Sequence, residues 1–200
     1  FLITAFATLF VVIDPPGLVP LFIALTQGMD DDRRRKLALR ACVIAALLLV
    51  FFGLFGESVL GFIGITMPAF RIAGGILLFL TALDMLFDRH TVRREGQQAD
   101  PNHDPSVFPL ALPLIAGPGA IASMILLMGQ AGPGWGGRIA VLALMLLLML
   151  ATYLFFLAAP TLERWLGRTG TNVITRILGM LLAALSVQFV IDGIRGTGLV

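Results

Sequence analysis

Hydrophobic residues fall in six long runs, at about 1–26, 37–60, 68–87, 106–130, 138–160 and 173–194, separated by short polar stretches. Each run approaches the ~20 residues that an α-helix needs to cross the hydrocarbon core of a bilayer. The runs at 37–60 and 138–160 are plain. The stretch from Ala140 to Ala151 is nearly all Leu, Met, Ala and Val. Two other runs are interrupted by Pro/Gly clusters, at Asp14-Pro15-Pro16-Gly17 and Ala116-Gly117-Pro118-Gly119. Proline removes a backbone donor and clashes with the preceding turn, and glycine weakens a helix further. In lipid, such breaks persist only where protein shields them or where they line a wet cavity. The pattern predicts an all-α integral membrane protein of six transmembrane helices, the first and fourth of them broken. The third run carries Gly74-Gly75, which lets a neighbouring helix approach closely, within this chain or in a homo-oligomer.

The runs repeat. The first break aligns with the second at an offset of 102, and Phe70-Arg71-Ile72-Ala73-Gly74 aligns with Thr175-Arg176-Ile177-Leu178-Gly179 at an offset of 105. Three spans per half is an odd number, so the second half must be inverted relative to the first, as in many secondary transporters. The chain reads as one transmembrane domain, 1–200, with repeat one at 1–87, a polar linker at 88–105 and repeat two at 106–200. Asp14 stands about 20 Å of helix from Phe1, and Ala116 about 15 Å from Ser106, at ~1.5 Å per residue. Both breaks therefore fall near the middle of a ~30 Å core, entered from opposite faces.

Composition agrees. Hydrophobic residues make up 58% of the chain and charged residues 13%, and mean hydropathy is +0.96. Eleven of the fourteen basic residues sit in or beside the 27–36, 88–105 and 161–172 segments, leaving Arg71, Arg138 and Arg195 on the other side. By the positive-inside rule those three segments are cytoplasmic loops and both termini face outward. Grouping at span ends explains the net charge of +2 without nucleic acid. The run Asp30-Asp31-Asp32-Arg33-Arg34-Arg35-Lys36 reads as a solvated start to the second span, with acids at the helix N-terminus. The first run lacks the basic start of a cleavable signal and continues past its break. It opens on Phe1, consistent with a natural start further upstream. A single cysteine, Cys42, allows no internal disulfide and reads as packing. His90 and His103 lie in the linker without metal-ligand spacing.

The breaks carry the candidate chemistry. Pro15, Pro16 and Gly17 open one half-helix; Pro118 and Gly119 open the other. Their free N–H groups suit an anion such as a carboxylate, and the carbonyls released near Ile13 and Ile115 suit a cation or an ammonium group. A zwitterion matches such opposed poles. Asp14 is an acid in mid-membrane, which by default marks function; it also suits the cap of its half-helix. The substrate-binding set is Asp14, Pro15, Pro16, Gly17, Ala116, Gly117, Pro118, Gly119 and Gln188. Asp14, Asp84, Arg71 and Arg176 are candidates for ion coupling or gating, against the plainer reading of interfacial solvation and snorkelling. Thr26, Thr81, Ser123, Thr152 and Ser186 either line a pore or bond their own helices.

The chain resembles the MarC family, also grouped as a six-span neutral amino acid transporter family. The resemblance runs nearly end to end. It rests on Ile13-Asp14-Pro15-Pro16-Gly17 with Pro20 and Leu25-Thr26; on Phe70 to Gly75 with Ala82-Leu83-Asp84-Met85; on Pro109-Leu110-Ala111 and Pro113 to Ala120; and on Val187-Gln188-Phe189 with Asp192-Gly193. It implies a bacterial inner-membrane protein, some of whose relatives move glycine, alanine and other small neutral amino acids. Pro16 stands where relatives often carry another residue. A secondary transporter with alternating access, no cofactor, and Na⁺ or H⁺ as coupling ion is the expected function. The alternatives are a non-transporting scaffold or regulator, whose breaks are filled by side chains, and an intramembrane enzyme using Asp14 and Asp84. No Ser/His, zinc or phosphate-loop motif supports the enzyme.

Overall fold

Two glycines at one helix–helix contact show how closely the molecule packs. A Cβ added to Gly75 would lie 2.8 Å from the Ser186 carbonyl oxygen, and one added to Gly193 would lie 3.0 Å from the Pro68 carbonyl. The helices that carry them touch backbone to backbone, which only residues without a side chain permit. The computed structural model describes residues 1–26, 28–87, 106–132 and 134–198. The helical segments are α1 (Leu2–Ile13), α2 (Pro15–Leu25), α3 (Asp31–Ile63), α4 (Met67–Leu86), α5 (Ser106–Ile115), α6 (Pro118–Gln130), α7 (Trp135–Leu157) and α8 (Ala159–Gly196). No strand occurs among the described residues.

Among the described residues, five stretches are long and apolar enough to cross a membrane: α1 with α2, α3, α4, α7, and residues Asn172–Gly196 of α8. The run expected at 106–130 consists of two shorter pieces, α5 and α6. Pro109 and Pro113 remove two donors from α5, which winds with wide i→i−5 turns; the Ala116 N–H reaches back to the Ala111 carbonyl at 2.9 Å. Many large apolar side chains point outward, among them Phe55, Phe62, Leu147 and Leu181. In water such a surface would aggregate; in lipid it is the ordinary exterior of a spanning bundle.

The interior forms two clusters. One gathers Leu9, Ile13, Leu18, Phe22, Leu49, Ile115, Met124, Leu148 and Phe156, from α1, α2, α3, α5, α6 and α7. The other joins α4 and α8 through Leu78, Ala82, Met85, Leu182 and Phe189, with Val11 and Leu126 reaching in. Gly74 faces Ala122 and Leu126 of α6, and Gly75 faces α8, so this glycine pair serves packing within the chain. Cys42 is buried in the first cluster.

Two expected loops are corrected. Residues 161–172 were expected to be a cytoplasmic loop, but α8 runs unbroken from Ala159. Its only proline, Pro160, stands in the first turn, where the missing N–H costs nothing. The glycines beyond it lower helix propensity without forbidding the helix. Likewise the 27–36 loop is shorter than expected, because α3 starts at Asp31 with Asp31 and Asp32 in its first turn. Arg33 pairs with Asp30 at 3.4 Å, with both side chains exposed, so the pair adds little. The linker 88–105, with His90 and His103, lies outside the described residues.

Candidate functional site

The first break is built around Asp14. It is the one non-glycine residue with positive φ among the described residues, at φ 49° and ψ 61°. Aspartate tolerates this left-handed geometry better than most residues. Its N–H closes α1 on the Phe10 carbonyl at 2.9 Å, and its own carbonyl accepts from Leu18 N–H at 3.1 Å to start α2. Asp14 Oδ1 accepts from the Gly17 N–H at 3.1 Å. Asp14 Oδ2 accepts a long bond, 3.4 Å, from the Thr175 hydroxyl on α8. The carboxylate thus caps α2 and ties the break to the last helix, and Asp14 is only 5% exposed. A Cβ at Gly17 would overlap Asp14 Oδ2 and lie 2.6 Å from its Cγ, so the cap requires glycine there.

The same chemistry strands carbonyls. The helical partners of the Val11 and Val12 carbonyls would be the N–H groups of Pro15 and Pro16, which do not exist. The partner of Ile13 would be Gly17, whose N–H is given to Asp14. Three successive acceptors therefore end α1 without their usual donors, a costly arrangement in lipid.

The second break lacks such a carboxylate. Gly117, in extended geometry, precedes α6 and offers no side chain to cap it. Ile121 N–H bonds the Gly117 carbonyl at 3.0 Å; the N–H groups of Gly119 and Ala120 have no capping side chain. Pro118 is exposed and Gly117 half-buried, while Ala116 and Gly119 are buried. The breaks lie against each other. A Cβ at Gly119 would sit 3.4 Å from Val12 Cγ1, 3.1 Å from Leu78 Cδ2 and 3.6 Å from Thr81 Oγ1. Eight of the nine expected substrate-binding residues belong to these breaks. The ninth, Gln188, is exposed on α8 and gives its amide to Asp192 Oδ1 at 2.9 Å.

The remaining candidates are dispersed. Asp84 is half-buried on α4, and Arg176 is exposed on α8 beside Thr175. Arg71 is half-buried on α4, and its Nε has no hydrogen-bond partner. Thr26, Thr81, Thr152 and Ser186 all bond carbonyls of their own helices. Ser123 differs: it is fully buried on α6, one turn beyond Gly119, and its Oγ has no partner. Thr175 is the functional candidate that pattern reasoning passed over. Its one signal is a hydroxyl at the position where the first repeat carries Phe70.

Relatives match this chain over nearly its whole length. A UPF0056 membrane protein of Archaeoglobus fulgidus is 40% identical over 197 residues, covering 97% of this chain and 92% of its own. The UPF0056 membrane protein YhcE of Escherichia coli is 37% identical, covering 96% and 90%. The UPF0056 inner membrane protein YhgN of the same organism is 33% identical, covering 97% and 96%. No solved structure is significantly similar to this chain. Residues 1–197 match the family described as MarC family integral membrane protein, and the chain belongs to that family.

Proposed function

We propose that this chain is a secondary transporter of small neutral amino acids, built as two inverted three-helix repeats with the solute held between the broken spans. The observation that carries the proposal is the contact of two unlike breaks: Gly119, at the uncapped start of α6, lies against Val12, at the acceptor-rich end of α1. The N-terminus of α6 suits a carboxylate. The stranded carbonyls of α1, with Asp14, suit an ammonium group. A small zwitterion satisfies both poles at once. Rocking of one repeat against the other alternates access, with Na⁺ or H⁺ as the coupling ion. The basic ends of the spans face the cytoplasm and both termini face outward, in the inner membrane of a bacterium.

The test is counterflow in proteoliposomes loaded with glycine, alanine or serine. Asp14→Asn is the informative variant, because asparagine caps a helix about as well as aspartate while losing the charge. Exchange falls about ten- to hundredfold in that variant, since hydrogen bonds to charged groups contribute about 1.5–3 kcal/mol. If none of the three amino acids exchanges under any sodium or proton gradient, the cargo assignment fails.

A non-transporting scaffold is the second reading. It is favoured by the sealed first break, where Ile13, Asp14, Pro15 and Pro16 are all buried. In the transport reading the same burial is an occluded state. Counterflow separates the two.

A further inference from the structure

An aromatic pair lies two turns beyond the first break and takes no part in its hydrogen bonding. Phe22 of α2 and Phe156 of α7 stack with centroids 4.4 Å apart and planes 12° apart. They are 1% and 2% exposed. The Arg34 guanidinium, from α3, lies 5.7 Å from the Phe22 ring centroid. A recess of about 170 Å³ is lined by both rings together with Asp31, Arg34, Arg35, Leu157 and Pro160.

We propose that the Phe22–Phe156 pair, with Arg34 against the Phe22 ring, is the gate that closes the solute path at the basic end of the bundle, and that the recess is its vestibule. This rests on the transport reading. Phe22 lies on the same face of α2 as the buried Leu18, one turn further from Asp14, so the rings stand about 12 Å along the helix from the break. The pair joins α2 of the first repeat to α7 of the second. Rocking between repeats therefore separates the rings, and no buried polar bond has to break. The stacked pair is weak enough to open thermally, shifting a two-state population by about tenfold, and the Arg34–Phe22 contact, made within the first repeat, is kept as it does. A recess of that volume is roomy enough for several waters or a small solute.

Thiol labelling tests the gate without any amino acid. Cys42→Ala removes the single native cysteine. Leu18→Cys then reports whether a charged, membrane-impermeant methanethiosulfonate passes the rings. Asp32→Cys, exposed beside the recess, reports which membrane side the basic end faces. Leu182→Cys, fully buried between α4 and α8, reports general loosening. In the Phe156→Ala variant the Leu18 thiol reacts about tenfold faster, and only from the side on which the Asp32 thiol reacts. Phe156→Tyr keeps the stack and the parent rate. An unchanged Leu18 rate in Phe156→Ala overturns the gate, as does equal acceleration at Leu182. Loss of amino acid exchange with this labelling pattern intact refutes the cargo and leaves the gate standing.

Discussion

Gly17→Ala reaches the centre of the first break with one methyl group. The added Cβ overlaps Asp14 Oδ2 and lies 2.6 Å from Cγ and 3.0 Å from Oδ1. The carboxylate must leave the α2 N-terminus, because the backbone on either side is fixed by the Asp14–Phe10 and Leu18–Asp14 bonds. Losing the cap costs about 1 kcal/mol. A buried carboxylate that loses this one of its donors costs up to a further 1–3 kcal/mol or so. Alanine's better helix propensity returns about 0.5–1 kcal/mol. The net is a destabilisation of about 1–3 kcal/mol. The same substitution changes sign once the carboxylate is gone. In an Asp14→Gly background, which keeps the left-handed turn, Gly17→Ala no longer strikes the carboxylate and stabilises by about 0.5–1 kcal/mol. The coupling between the two sites is then about 1.5–4 kcal/mol, readable by a double-mutant cycle. Reversible unfolding in mixed micelles, followed by the fluorescence of the two tryptophans, supplies the four free energies. Destabilisation of equal size in both backgrounds refutes the capping geometry.

Other outcomes follow from the same packing. Gly75→Ala pushes a methyl to 2.8 Å from the Ser186 carbonyl and 3.1 Å from the Val190 N. It should cost about 1–3 kcal/mol in micelle unfolding, because backbone cannot step aside. Gly61→Ala on α3, with nothing within 4 Å of the added carbon, should instead stabilise by about 0.5–1 kcal/mol. Thr175→Val removes the hydroxyl bonded to Asp14 and costs about 0.5–1.5 kcal/mol, an effect that vanishes in the Asp14→Gly background. Gln188→Leu, which loses only a bond to Asp192 on the same helix, leaves counterflow within about twofold of the parent, as expected for an exposed helix pair.

Much of this protein is local, and the sequence reports local physics well. Prolines 15, 16 and 118 remove donors wherever the chain goes, so both breaks, the half-helices beyond them and the stranded carbonyls of Val11 and Val12 follow from residue chemistry alone. Apolar run lengths likewise fix an all-helical chain with several membrane-spanning segments. The sequence misjudged 161–172, because a polar, glycine-containing stretch carries no mark of whether a neighbouring helix will extend through it. It also leaves open what Gln188 faces, since periodicity gives a helix face but not what lies opposite. Tertiary structure alone decided that Thr175 reaches Asp14 across 161 positions, that Gly119 meets Val12, and that Phe22 finds Phe156. Those pairings depend on how separate helices cross. Crossing is set by the summed fit of small and large side chains along whole faces, such as Gly75 and Gly193 between α4 and α8, and no single stretch of sequence holds that sum.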